Sequence, residues 1–297
     1  MSLESWYKAG EIARSILKRI ANRVKAGLKI IDICEFVEEN IRRMGARPAF
    51  PTNVGVNDVA AHYTSPPNDT KKIPSKAIVK IDIGVLMPDG AIADTAVTVG
   101  IGVSKRTSRF ISATKEVLDE AIQNVKAGIR VGKIGEIIWK KAHEFGFGVL
   151  RDLGGHLIKS WNLHAGITIP NIPKKMTPKL KEGSIIAIEP FLVFSGEDSI
   201  TSPDFSRIHI YSVPDPGGDK ILERIYSLFR NLPFGLRWIK KTSTDIKFGN
   251  ALHKILIERS YKGLVRVYPT LVEINGRWVA QFEHTVLVKK NSAEVLT

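Results

Sequence analysis

Residues 24–45 (VKAGLKIIDICEFVEENIRRMG) and 125–146 (VKAGIRVGKIGEIIWKKAHEFG) align without a gap and share seven of 22 positions, including Val-Lys-Ala-Gly and the closing Gly. A period of about 101 residues is too long for a solenoid unit. It predicts two α/β halves related by pseudo-symmetry, so the rest of the chain should repeat too. Helical periodicity covers 3–26 (Ile12, Ile16, Ile20) and 32–44 (Ile33, Phe36, Val37, Ile41), then again 108–127 and 133–146. AHYTSP (61–66) is answered by LHAGIT (163–168), KAIVKIDIGV (76–85) by GSIIAIEPFL (183–192), and DTAVTV (94–99) by EHTVLV (283–288). The correspondence pairs His62 with His164, Asp82 with Glu189, and Asp94 with Glu283. Each half brings two carboxylates on adjacent strands and one histidine.

Ile78–Val99 reads as a hairpin closed at Pro88-Asp89-Gly90. Folded about position 88, it sets Asp82 directly opposite Asp94 on one face, with Val79, Ile81, Ile83, Val97 and Val99 on the other. Facing carboxylates repel and need a shared proton or cation, unless that face simply meets water. Glu189, in Ile185–Phe191, and Glu283, in Val279–Glu283, sit in apolar strand surroundings where an unpaired charge is costly. Four carboxylates placed two by two call for one charge sink, and divalent cations are the ordinary answer. His156, after Gly154 and Gly155, has no counterpart in the first half. The glycines permit an unusual backbone and close approach, which suits an imidazole aimed at a fixed point. An oxygen-rich set with one imidazole and no thiolate leans toward Mn(II), Fe(II) or Co(II). Two such ions about 3.5–4 Å apart could share and acidify a water. The chain carries no G-x-S-x-G elbow, HExxH, Walker loop or dinucleotide glycine fingerprint, so other catalytic schemes are poorly supported.

The halves differ in one respect. Twelve positions separate Asp82 from Asp94, but 94 separate Glu189 from Glu283. This predicts an inserted, mainly helical basic subdomain over 195–271, with 1–194 and 272–297 forming the main domain. Inside it 219–231, 234–241 and 245–259 read as helices, with Asp219 and Asp245 as N-caps. The 297-residue chain carries a net charge of +14, and Lys220–Arg266 contributes +8 of it. Such a segment favours acidic partners such as RNA, although a solvated basic face is the commoner outcome. The single cysteine, Cys34, excludes an internal disulfide and a Cys-based zinc site. With no secretory signal and no apolar stretch near the ~20 residues of a membrane span, a reducing cytoplasm is expected.

At these residues the sequence resembles a known family. The order Asp82, Asp94, His156, Glu189, Glu283, with the strings AAHYTSP, KIDIGV, ADTAVTV, GGH, LHAG, AIEPF and QFEHTVLV, is similar to the metal-ligand set of the methionine aminopeptidases. Those enzymes share a pita-bread fold with the Xaa-Pro peptidases and creatinase. The resemblance covers essentially the whole chain. The helical insertion ahead of QFEHT resembles the type II branch of archaea and eukaryotes, and the lack of a long charged N-terminal extension looks archaeal. The resemblance implies an α+β pita-bread fold: a pseudo-two-fold repeat whose mixed, largely antiparallel sheet is covered by helices, plus the inserted subdomain.

It further implies hydrolytic removal of the initiator methionine from nascent chains with a small second residue, by a hydroxide bridging two divalent ions (Co, Mn, Fe(II) or Zn). Asp82 would chelate one ion, Asp94 and Glu283 would bridge both, and His156 and Glu189 would complete the other. Glu189 would also shuttle the proton, with His164 as the second catalytic residue. His62 and His164 match the family's substrate-side histidines, and Phe50, Pro51, Asn53, Tyr268 and Leu271 match its methionine side-chain site. The implied partner is a peptide or nascent-chain N-terminus, with no membrane and a monomeric chain expected; the charge of the basic insertion, apart from the resemblance, makes a ribosome or rRNA surface one candidate contact. Two rivals stand beside it. One is an Xaa-Pro peptidase, which usually carries a domain before the first helices. The other is a non-catalytic RNA- or ribosome-binding relative, in which metal ligands are lost.

Overall fold

The computed structural model describes residues 3–242 and 249–297. Helices α1 (Leu3–Ala21) and α2 (Ile30–Arg43) cover a sheet built on the hairpin of Ala77–Leu86 and Ile92–Ile101. Helices α3 (Lys105–Gln123) and α4 (Val131–Glu144) cover a second sheet containing Gly154–Ile158, Ile185–Ile188 and His284–Val288. Each amphipathic pair buries its apolar stripe: Ile12, Ile16, Ile33 and Val37 in one core, Phe110, Val117, Ile134 and Ile138 in the other.

The repeat extends to single backbone bonds. Gly27 N–H donates to the Ile73 carbonyl and Gly128 N–H to that of Leu180, each at 2.8 Å. Three residues on, Ile30 donates to Lys71 and Val131 to Pro178. The glycines that close α2 and α4, Gly45 (φ 79°) and Gly146 (φ 80°), both take the left-handed conformation. The next N–H then returns to the carbonyl five residues back, from Ala46 to Ile41 and from Phe147 to Ala142. A side chain would strain either position, which is why both halves carry glycine there.

Strand ladders among the described residues are all antiparallel. The first hairpin turns one residue later than its sequence suggests. Met87 N–H donates to the Ala91 carbonyl and Gly90 N–H returns to that of Met87, so Pro88-Asp89-Gly90 is a three-residue loop with Gly90 at φ 96°. Its centre is Asp89, and the register becomes Asp82↔Ala96 and Gly84↔Asp94. The two aspartates are therefore diagonal neighbours, not direct opposites. An offset of two residues leaves them on one face, because the pleat repeats every two.

Between Glu189 and Glu283 runs a long ribbon that the sequence did not mark as strand. Thr201–Ser212 pairs with Arg266–Glu273, which also pairs with Val59–Ala61 of the first half. Pro203, Asp204 and Ser206 hide its alternation, and register shifts between Asp204 and Ile210 absorb the irregularity. Helices α5 (Lys220–Phe229), α6 (Leu236–Thr242) and α7 (Gly249–Ser260) follow, over a separate core that includes Tyr211, Leu222, Phe234, Trp238 and Leu256. Asp219 caps α5 by accepting the Ile221 and Leu222 N–H groups, while its other oxygen takes Arg259 Nε at 2.8 Å. Asp245, the other expected cap, lies outside the described residues. Among those residues no helix is long and apolar enough to cross a membrane.

Candidate metal centre

The two halves are sewn together where their carboxylates meet. Asp94 N–H donates to Thr285 Oγ1 at 2.7 Å, and that hydroxyl donates back to the Asp94 carbonyl at 2.8 Å. Thr95 Oγ1 donates to the Glu283 carbonyl at 2.7 Å, and Thr98 Oγ1 to that of Gln281 at 2.6 Å. These bonds bring ligand atoms of Asp94, His156 and Glu283 within 4.8 Å of one another, all three residues buried. His156 Nε2 lies 3.5 Å from Asp94 Oδ2 and 3.7 Å from Glu189 Oε1. Asp82 and Glu189 line the same cavity. The ladders flanking Glu189 and Glu283 share one register (His284↔Ile188, Phe191↔Gln281), which sets the two glutamates across from each other at the break between them. Glu189 does not peel away at Pro190, since its side chain is only 13% exposed.

Gly154 and Gly155 serve a tight approach between strands; neither has a positive φ. A Cβ on Gly155 would stand 2.1 Å from the Ala187 carbonyl oxygen, and one on Gly154 2.3 Å from that of Ile169. Gly155→Ala is therefore expected to lower the melting temperature by several degrees, from about 1–3 kcal/mol of overpacking. It should also weaken Mn(II) binding through the adjacent His156; thermal melts and calorimetric titration check both.

His62 and His164 reach the cavity from two loops. His62 adopts φ 63° and meets the Tyr268 ring edge-on, centroids 5.6 Å apart. The His164 ring lies 4.2 Å from that of His156, with one side open to solvent. Phe50, Asn53 and Tyr268 also line the cavity. Pro51 and Leu271 are not among the lining residues: Pro51 faces Gly235, and Leu271 pairs with Ala61. Gln281 went unread in the sequence, yet its Nε2 donates to Glu189 Oε2 at 3.2 Å. Its place two residues before Glu283, on the same face of an alternating strand, was the available signal.

Burial dominates the electrostatics. It raises Asp94 to about 8, and carries Asp82, Glu189 and Glu283 well above the carboxylate range, with the neighbouring carboxylate charges adding to the shift. Burial lowers His156 to about 4, which keeps its imidazole neutral and able to act as a ligand. Asp82 Oδ1, Asp94 Oδ1 and both Glu283 carboxylate oxygens are buried with no hydrogen-bond partner among the described residues. Buried polar atoms seldom stay unsatisfied, and orphaned carboxylate oxygens converging on one cavity fit hard divalent cations.

A family model described as metallopeptidase family M24 matches residues 4–290. The chain belongs to metallopeptidase family M24. Its relatives include a protein of Saccharolobus solfataricus named methionine aminopeptidase, 40% identical over 97% of this chain and 95% of that protein. Another of that name, from Methanothermobacter thermautotrophicus, is 38% identical over 99% and 98%. Among solved structures, the methionine aminopeptidase of Thermotoga maritima superposes with a TM-score of 0.71 at 24% identity, covering 98% of this chain and 94% of that one. A thermophilic Arx1 reaches 0.80 at 17%, covering 99% and 90%. These likenesses establish the shared α+β fold, and membership of M24 implies divalent metal ions.

For an M24 chain stripped of metal, the raised carboxylates set a pH dependence. They let the folded chain hold protons that the unfolded chain releases, so this stability is full in acid and is lost as pH rises through about 8. The lowered histidines His62, His156, His164, His209 and His284, near 3 to 4, act oppositely until about pH 7.5, a unit above the midpoint of unfolded imidazole. Lys80, lowered by burial to about 7, opposes with one proton. Between about pH 7.5 and 8.5 stability in chelator is expected to drop by about 1.4 kcal/mol per pH unit for each net proton retained, and the melting temperature with it. Saturating Mn(II) should abolish the slope; melts across that range check it.

Proposed function

We propose that this chain removes the N-terminal methionine from peptides and nascent proteins whose second residue is small. The observation that carries this reading is a cavity whose lining brings together Asp82, Asp94, Glu189, Glu283 and His156, in a chain 40% identical to a methionine aminopeptidase over nearly its whole length. Asp82, Asp94, His156, Glu189 and Glu283 hold two divalent ions, Co, Mn, Fe(II) or Zn. When bound, such ions polarise a carbonyl and lower the pKa of water toward neutrality.

The chain's own side chains do the remaining work. The substrate's free α-amine is received at the Asp82 end of the cluster, which limits cleavage to the first residue. Glu189, whose proton affinity burial has raised, takes a proton from the attacking water and passes it to the leaving amine. His164 donates a hydrogen bond to the scissile carbonyl, and His62 to the backbone of the following residue. Phe50, Asn53 and Tyr268 hold the methionine side chain, with Pro51 and Leu271 behind that wall.

Met-Ala-Ser and Met-Pro, each assayed with Mn(II) and with chelator, test the reading. Turnover of the tripeptide alone, lost in chelator and restored by Mn(II), is expected. Cleavage of Met-Pro alone would favour an Xaa-Pro peptidase. Neither peptide cleaved, with no Mn(II) bound, would favour a non-catalytic relative.

The basic 220–266 segment is proposed as a ribosomal RNA contact of a monomeric, cytoplasmic enzyme. Co-sedimentation with ribosomes should then weaken steeply with salt. Salt-independent binding, or none, would count against it.

A further inference from the structure

We infer that Arg237, on helix α6 of the inserted segment, is a positioning residue for the peptide side of the cavity, acting through the loop that carries His62; this rests on the functional reading above. Arg237 is 4% exposed and Glu38, on α2, 2%. The guanidinium bonds Glu38 Oε1, the Ser65 carbonyl and, at 3.4 Å, Thr64 Oγ1. Glu38 also accepts Trp238 Nε1 at 2.7 Å and the Thr52 N–H at 3.2 Å.

These partners stand directly behind two walls of the site. Thr52 lies between Phe50 and Asn53, and Thr64 and Ser65 follow His62; Phe50, Asn53 and His62 all line the cavity. The positive φ of His62 is costly for a residue with a side chain, so its loop must be held. On the far side Tyr63 and Ser65 both donate to Asp69 Oδ2, at 2.9 and 2.8 Å. A buried ion pair is weak as a source of stability, because packed apolar residues often replace it without loss. A planar fork does fix direction. Arg237 therefore ties the insertion, which enters the chain between Glu189 and Glu283, to the loop that aims His62.

The test uses the metal-loaded full chain. Arg237→Met alone would leave the buried Glu38 carboxyl without its guanidinium, so Glu38→Gln/Arg237→Met is the informative variant. It is expected to melt cooperatively and to bind Mn(II) with near wild-type affinity. Its kcat/KM on Met-Ala-Ser should fall by about tenfold or more, toward the roughly 100-fold that a 1 Å misplacement costs. His62→Ala should then cost much less in this background than in the wild type, and hydrogen exchange at residues 62–65 should quicken by about tenfold. Equal costs of His62→Ala in both backgrounds, or unchanged exchange at 62–65, would overturn the assignment. Wild-type protein that cleaves no methionyl peptide would defeat the functional reading instead, and the exchange rates alone would then decide the clamp.

Discussion

Glu189→Gln is expected to leave a folded protein whose turnover of Met-Ala-Ser, at Mn(II) concentrations shown to saturate it, falls by about 100- to 10,000-fold. The substitution changes almost no volume, and Gln281 Nε2, now 3.2 Å from Glu189 Oε2, keeps an amide oxygen to bond. What disappears is a group able to accept a proton and give it up again. That group sits at the end of Ile185–Ile188, 3.7 Å from His156 Nε2, with burial and the charges of Asp94 and Asp82 raising its proton affinity. Turnover within about tenfold of wild type would move the proton transfer to another residue.

Glu283→Gln should act on stability in a direction that most core substitutions do not. Glu283 is 1% exposed, both its oxygens lack hydrogen-bond partners among the described residues, and its neighbours Asp94, Glu189 and Asp82 are acids. Without metal it is a burden, so the metal-free variant should melt above metal-free wild type at pH 8. With metal the order reverses. An ion at 100 times its dissociation constant adds about 2.7 kcal/mol, or roughly 4 °C for a chain of this size, and the variant should lose most of that gain. Melts of both proteins in chelator and in Mn(II) make the comparison. A metal-free variant that melts below wild type would mean that Glu283 is held by something other than a cation.

Local pattern and the repeat made much of this legible. Helical periodicity placed α1 to α4, and the alignment of the two halves is enough to assemble Asp82, Asp94, Glu189 and Glu283. What the sequence did not reveal depends on geometry or on distant pairing. The hairpin register turned on whether the reversal centres on Pro88 or on Asp89, a difference that shifts the partner of Asp82 from Asp94 to Ala96. The Thr201–Ser212 ribbon is stabilised by a partner more than fifty residues away, so Pro203 and Asp204 outweighed its short apolar run. Arg237 read as one more charge in a basic segment, because its partner Glu38 stands 199 residues earlier. Pro51 and Leu271 entered by resemblance, and chain direction alone could not tell the cavity wall from the layer behind it.

Anomalous diffraction from crystals loaded with Mn(II) is the most direct test. Two peaks enclosed by Asp82, Asp94, His156, Glu189 and Glu283 are predicted, with the now partnerless oxygens of Glu283 turned onto them. Ordered crystals in saturating Mn(II) with no peak among those side chains, or with manganese only elsewhere, would contradict the metal centre and the hydrolytic function built on it.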